Sequence, residues 1–187
     1  MNLKDVITKS QRTQRNWDLT KAINKDDLDL FKIAVSQCPT KQNRNWYNVV
    51  FISDRNKIEQ IYNTTDGFTY EKGKTTTNSQ TLANLLVVFC ADIDSRDKIN
   101  SDTTDNSISI GIAAAYLNLT AHMLNYKTGF CACFKNGEVD KIINDTNSML
   151  ILGIGHADEK KDRKEHHLNK GFLYPSFNKN VNIRELK

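Results

Sequence analysis

Residues Ser107–Phe134, SISIGIAAAYLNLTAHMLNYKTGFCACF, decide how the rest of the chain is read. The first two thirds hold one glycine and no proline. Ile108, Ile110, Ile112, Leu117, Leu119, Met123 and Leu124 do not keep to a single 3.6-residue stripe. A helix that is apolar on every side is buried, either in a large core or against a partner subunit. Small residues, Ala113 to Ala115, allow neighbouring elements to come close. Asn125 is the expected stop, because Asn tolerates a left-handed helix end. Thr128 to Phe134 then reads as a short strand leaving the core. A central helix that opens into an extended segment is suited to a flat ligand.

The segments on either side supply a sheet and its covering helices. Residues 3–10 predict a short first helix. Asp26 or Asp27 can cap a second helix, from Leu28 to about Gln37, that stops at Cys38-Pro39. Trp46 to Ser53, aromatic and β-branched, predicts a strand followed by a short helix over Arg55 to Tyr62. Residues 63–80 show no period, and loops of that length are often functional. Leu82 to Ala91 reads as a fully buried strand, and Asp92 to Asp105 as a surface connection. After the central segment come a helix around Val139–Asn144, a strand over Met149–Ile154 and a charged run, His156–His167. Strands alternate with helices, so the class is α+β (or α/β), with a mixed sheet. Three well-marked strands are few for this much helix, and an intertwined dimer would resolve the shortage.

Composition narrows the function. The 187 residues make one domain, 1–187, the simplest division, and are enough for a sizeable core. The longest apolar run falls far short of the ~20 residues of a membrane span. The first residues lack the apolar core of a signal peptide, which predicts a cytoplasmic protein. Four cysteines, two of them in predicted strands, suit buried thiols rather than a disulfide scaffold. The sequon at Asn118 lies in the buried helix, out of reach of glycosylation. A net charge of +4, from 26 basic and 22 acidic residues, allows a phosphate-bearing ligand without indicating nucleic acid.

Four segments, in order, resemble the nitroreductase family of FMN-dependent oxidoreductases. Arg12-Thr13-Gln14-Arg15-Asn16-Trp17 looks like the family's R-x-S-x-R/K-x-aromatic segment. Cys38 to Trp46, CPTKQNRNW, is similar to its A-P-S-x-x-N-x-Q-P-W loop. Leu85 to Ala91, LLVVFCA, is similar to its central strand, with Asn78 and Gln80 before it. Gly111 to Phe134 and Met149 to His156 look like its central helix, flavin-facing strand and final strand. Gln11 stands where the family has its first Arg, Thr40 where it has Ser, and Trp46, followed by Tyr47, where it has the Pro before the loop Trp. The resemblance spans Gln11 to Arg163. It implies a three-layer sandwich with the long central helix at a homodimer interface.

The resemblance also implies a cofactor and its ligands. Arg12 and the Lys161-x-Arg163 pair would hold the FMN phosphate, with the Thr13 hydroxyl adding a bond, because guanidinium forks match phosphate oxygens. Arg15 would face N1 and O2, where reduced flavin gathers negative charge, and would tune its potential. Pro39, Thr40, Lys41 and Asn43 would come from the loop, and Asn43, Asn78 and Gln80 could match the donors and acceptors of the pyrimidine edge. Backbone N–H groups at Ala132 and Cys133 would serve N5. The family mechanism is ping-pong, from NADH or NADPH to a small aromatic, quinone or nitro-type acceptor, with no side-chain acid or base.

Other readings stand beside this one. The chain could be a non-catalytic flavin-binding or flavin-storing protein, or an enzyme of the same fold acting on flavin itself or on a halogenated aromatic. A nucleic-acid binder is the remote alternative. Cys131-x-Cys133 has no second cysteine pair, so no metal is expected. His122 reads as a hydrogen-bonded core or interface residue, and His156 as structural near the phosphate end. Trp46, Tyr47, Phe68 and Tyr70 could shape a pocket over the ring or simply pack.

Overall fold

The computed structural model describes residues 2–67, 77–92, 104–175, 179 and 181–185. Four strands, β1 (Tyr47–Ile52), β2 (Leu85–Ala91), β3 (Lys127–Cys131) and β4 (Ser148–Gly155), form one sheet in the order β1-β2-β4-β3. Five helices accompany them: α1 (Leu3–Ser10), α2 (Lys25–Ser36), α3 (Arg55–Asn63), α4 (Thr104–Met123) and α5 (Asn136–Ile143). The elements fall close to their predicted places. The sheet itself differs from the mixed one expected: every strand pair among the described residues is antiparallel. Parallel pairing is confined to an isolated bridge, Thr13 to Thr128.

β2 shows why the run from Leu85 has no polar residue. Leu85, Val87, Phe89 and Ala91 face one hydrophobic core; Leu86, Val88 and Cys90 face the other. The first core is closed by Phe31 and Val35 of α2 and by Ile110, Ala113, Ala114, Leu117 and Ala121 of α4. The second is closed by Ile58 and Ile61 of α3 and Val139 of α5. A sheet covered on both faces needs apolar residues in both registers, which produces a continuous run rather than an alternation. The result is three layers, with α2 and α4 on one side and α3 and α5 on the other.

α4 is only half buried. Ala113, Ala114 and Ala121 meet the sheet, where short side chains let the helix lie close, while Ala115 is exposed. The opposite face leaves Ile108, Tyr116 and Met123 exposed, at 54%, 45% and 64%. The all-round apolar pattern therefore consists of a core stripe and an outward stripe. Asn125 ends the element in the left-handed region at φ 67°, as expected.

Local details depart from expectation in two places. Asn24 caps α2, its side chain accepting from Asp26 N, and the helix starts at Lys25 rather than Leu28. β3 stops at Cys131, so Cys131 and Cys133 do not share a strand face; Cys131 is buried and Cys133 exposed. Phe68 and Tyr70 lie outside the described residues, as does most of the Asp92–Asp105 connection.

Gly129 of β3 and Gly153 of β4 face each other across the ladder. A Cβ on either would press on Gln80, part of the 3₁₀ turn Ser79–Leu82 that crosses this flat spot. Trp17 Nε1 donates to Ser79 O at 2.9 Å, and Arg55 donates to Leu82 O and Ala83 O at 3.1 Å each, so the turn is clamped from both ends.

Candidate functional site

The segment after α1 is stitched to β3 and to the C-terminal part of the chain. Gln14 N donates to Thr128 O at 2.8 Å, and Arg15 N to Arg163 O at 3.0 Å. The buried Asn16 side chain donates to Asp162 O and Glu165 O, and Trp17 N donates to His167 Nδ1. This segment is thereby held across the edge of the sheet. A cavity of about 630 Å³ opens beside it, lined by Ile7, Thr8, Ser10, Gln11, Arg12, Thr13, Asn118, Thr128, Phe130 and Lys179. Hydroxyls and two cations make its wall polar. The exposed Phe130 ring supplies an apolar surface.

One wall is a hydrogen-bond chain that joins three elements. Thr128 Oγ1 donates to Asn118 Oδ1 at 2.6 Å, and Asn118 Nδ2 donates to Ser10 O at 3.0 Å. The Thr128 hydroxyl has given its proton to Asn118, so the contact from His122 Nε2 at 3.1 Å must be the imidazole donating. His122 is then the neutral Nε2–H tautomer, and burial lowers its pKa to about 4, with Lys127 and Lys9 adding to the shift. It is the hydrogen-bonded core histidine expected. Asn118, with its amide spent and 9% exposed, is closed to glycosylation.

The predicted cations have different situations. Arg12 and Thr13 line the cavity, and among the described residues the Arg12 side chain makes no ion pair or hydrogen bond. Arg163 lies behind them, its guanidinium donating to Thr13 O at 3.2 Å. Lys161 is occupied by Asp158 at 3.6 Å. Arg15 is half-buried, and its Nε has no hydrogen-bond partner among the described residues. Burial lowers the Arg15 pKa, the Tyr174 phenol opposes this and Arg163 adds to it. A buried guanidinium N–H without an acceptor costs ~1–3 kcal/mol. An anionic or carbonyl oxygen arriving there would remove that cost.

The amides predicted for the ring edge are engaged within the protein. Asn78 Oδ1 accepts from Gln80 N at 3.1 Å and its Nδ2 donates to Cys131 Sγ at 3.3 Å. Gln80 Nε2 donates to Phe130 O. Both fix the strand that walls the cavity. Ala132 and Cys133 are exposed just past the end of β3, and among the described residues their backbone N–H groups donate to nothing.

Pro39, Thr40, Lys41 and Asn43 lie elsewhere. Thr40 Oγ1 donates to Arg44 O, and Gln42 and Asn43 are both in the left-handed region, at φ 56° and 53°. Lys41 Nζ pairs with Asp105 at 2.6 Å, at the N-terminal end of α4. Asn118, which lines the cavity, is thirteen residues further along, roughly 20 Å at the helical rise. One protomer therefore does not bring the two predicted groups together. Thr40 and Asn43 instead line a second cavity, of about 580 Å³, beside the free edge of β1.

Two contributors escaped sequence reasoning. Lys179 reaches the Arg12 cavity from the tail, and the Tyr174 ring lies under Arg15. Neither sits in a periodic segment, and only the basic and aromatic character of the tail hinted at them.

No family model matches the sequence, and no curated protein does. Solved structures do match. A nitroreductase family protein from Clostridium novyi NT superposes with a TM-score of 0.70 at 17% identity, covering 93% of this chain and 97% of that one. The chain has the nitroreductase fold. A nitroreductase from B. subtilis gives 0.72 at 15% identity, with 97% and 76% covered. The NADPH:FMN oxidoreductase of Vibrio harveyi, solved with NAD+, gives 0.67 at 18%, with 94% and 79% covered. The three-layer nitroreductase architecture expected from the motifs is thus present over nearly the whole chain. Among the described residues no helix is long and apolar enough to cross a membrane, and no cluster of three or more metal-ligating side chains occurs.

Proposed function

We propose that residues 1–187 form a single FMN-binding domain of a cytoplasmic, homodimeric oxidoreductase. It would take electrons from NADH or NADPH and pass them by a ping-pong mechanism to a small aromatic, quinone or nitro-type acceptor. The observation that carries this reading is the cavity beside Arg12 and Thr13 in a chain of nitroreductase fold. The residues present fit the cofactor: among the described residues Arg12 is unpaired, Arg15 Nε lacks an acceptor and two backbone N–H groups past β3 are unused. Arg12, Thr13 and Lys179 would hold the phosphate, with Arg163 fixing the Thr13 carbonyl and Lys161 adding positive potential nearby. Arg15 Nε would donate at the N1/O2 end, and the N–H groups of Ala132 and Cys133 near N5. Asn78 and Gln80 act through the wall they brace. FMN, when bound, would supply the hydride-accepting centre, so the chain itself contributes position and charge rather than an acid or base.

The two stretches that one copy keeps apart support a dimer. The outward apolar stripe of α4, with Ile108, Tyr116 and Met123, is what an isologous two-fold contact would cover. Two α4 helices crossing antiparallel would carry the Pro39–Asn43 loop of one copy toward the Arg12 cavity of the other. Four free cysteines, three of them buried, suit a reducing compartment.

Titration of the purified protein with FMN, followed by flavin fluorescence, tests the reading. The wild type should bind, and Arg12→Gln and Arg15→Gln should each weaken binding about tenfold or more, the scale of one charge-assisted hydrogen bond. A wild type that takes up no FMN refutes it. Binding without oxidation of NADH or NADPH in the presence of a quinone would make the protein a flavin carrier.

A further inference from the structure

Residues 164–174 fold back on themselves as a short ribbon. His166 N donates to Phe172 O at 2.9 Å and Tyr174 N to Lys164 O at 3.0 Å, with a bridge between Glu165 and Leu173. Besides the bonds from Asn16 and Trp17, the ribbon is pinned to the body at the Thr77 carbonyl. Tyr174 Oη donates to it at 3.1 Å, and His166 Nε2 lies 3.1 Å away. His166 Nδ1 accepts from Leu168 N and Asn169 N, which leaves Nε2 as the protonated nitrogen that donates to Thr77. The buried imidazole lies nearly parallel to the Tyr174 ring, at 16° with centroids 6.1 Å apart, and Phe172 meets Tyr174 edge-on at 5.0 Å. A cation rests on this platform: Arg15 Cζ is 4.3 Å from the centroid of the Tyr174 ring.

We infer that Tyr174 is a positioning residue for Arg15, its ring fixing the guanidinium in one orientation behind the Arg12–Thr13 wall of the site. The inference rests on the flavin reading above for what the ligand of that site is. A guanidinium on a three-bond stem loses rotamer freedom whenever it binds in one orientation. A ring already beneath it removes part of that loss before the ligand arrives, and it does so by contact with the cation face rather than by competing for the N–H donors. The Tyr174 hydroxyl donates to Thr77, and the ring face is what the Arg15 guanidinium rests on. The ribbon ties Arg15 also through its backbone, because Arg15 N donates to Arg163 O at the ribbon's root.

Tyr174→Leu, Tyr174→Phe, Arg15→Gln and the Arg15→Gln/Tyr174→Leu double variant are compared in FMN dissociation constant and in flavin midpoint potential. Tyr174→Leu should weaken FMN binding about threefold to thirtyfold, the range of a cation–aromatic contact. It should move the potential in the same direction as Arg15→Gln, and have no further effect in the Arg15→Gln background. Tyr174→Phe, which keeps the ring and loses the Thr77 bond, should bind and poise the flavin as the wild type does. It also carries the test if the leucine variant does not fold. Equal binding and potential in Tyr174→Leu and wild type, equal losses for Tyr174→Leu with and without Arg15, or a Tyr174→Phe variant impaired as much as Arg15→Gln would each overturn the inference while leaving the flavin reading intact. Failure of the wild type to bind FMN overturns both.

Discussion

Replacing Gly129 by alanine places one methyl group where two pinned neighbours already stand. The new Cβ would lie 2.8 Å from Gln14 O, 3.0 Å from Gln80 Cβ and 3.1 Å from Gln80 Cγ. Ordinary contact needs several tenths of an ångström more on both sides. Neither neighbour is loose: Gln14 N donates to Thr128 O and its side chain to Asn16, while Gln80 Nε2 is tied to Phe130 O. Overpacking of this kind costs ~1–3 kcal/mol. The lower entropy of the unfolded alanine chain returns ~0.4–1 kcal/mol, which leaves a net loss of about 1–2 kcal/mol. For a chain of this length that is a fall in Tm of about 2–8 °C. Thermal and urea unfolding of Gly129→Ala should show it. FMN affinity should fall too, because the strain presses on the Arg12–Arg15 segment. Gly137→Ala is the control, since a Cβ there meets nothing within 4 Å and a helical alanine gains up to about 1 kcal/mol. A Gly129→Ala protein as stable as the wild type would refute the packing of the turn and the 11–17 segment against β3.

Three further outcomes follow from the same coordinates. The folded-state pKa of His122, about 4, is depressed below its ordinary 6.5, so its contribution to stability is complete above pH 6.5 and is lost as pH falls toward 4. His122→Gln, which keeps a donor for Thr128, should therefore lose less stability than wild type between pH 7 and 4.5, by up to about 2 kcal/mol after solvent screening; parallel curves in urea titrations would contradict this. Asn84→Asp keeps the acceptor for His156 N but loses the donors to Asp18 O and Lys21 O, and sets a carboxylate against two carbonyls. Its urea midpoint should drop by the equivalent of about 2–3 kcal/mol. Met123→Glu, at a position 64% exposed, should leave the far-ultraviolet circular dichroism unchanged yet yield monomers on size-exclusion chromatography; an unchanged elution volume would remove the outer face of α4 from the interface.

The sequence disclosed the core elements because burial on both sides of a sheet leaves an unmistakable trace. Leu85 to Ala91 could be nothing but a central strand, and Met149 to Ile154 its neighbour. At α4 the same logic left two readings open, a large core or a partner subunit. An apolar pattern records every surface that is dry in the working protein, so a helix with one face on the sheet and the other exposed in a lone chain reads as buried throughout. The antiparallel pairing could not be read, because the long connections between β1, β2 and β4 allow either direction.

The site was legible in part. Arg12, Thr13 and Arg15 belong to one short segment, and a segment keeps its residues together. Asn78 and Gln80 were identified as amides near the site, but what occupies their donors depends on Cys131 and Phe130, some fifty residues away. Tyr174 and Lys179 are brought in by long-range folding of a tail without periodicity, so spacing carried no trace of them. The helix cap shifted from Asp26 to Asn24 because either residue can accept at an N-cap, and only the chain's entry angle chooses.

The account turns on two copies of this chain enclosing FMN. Size-exclusion chromatography with multi-angle light scattering and simultaneous flavin absorbance, on protein supplied with FMN, measures both at once. The account predicts a particle of twice the 21.4 kDa chain mass, co-eluting with one FMN per chain and a band near ~450 nm. A colourless particle of a single chain's mass would contradict it.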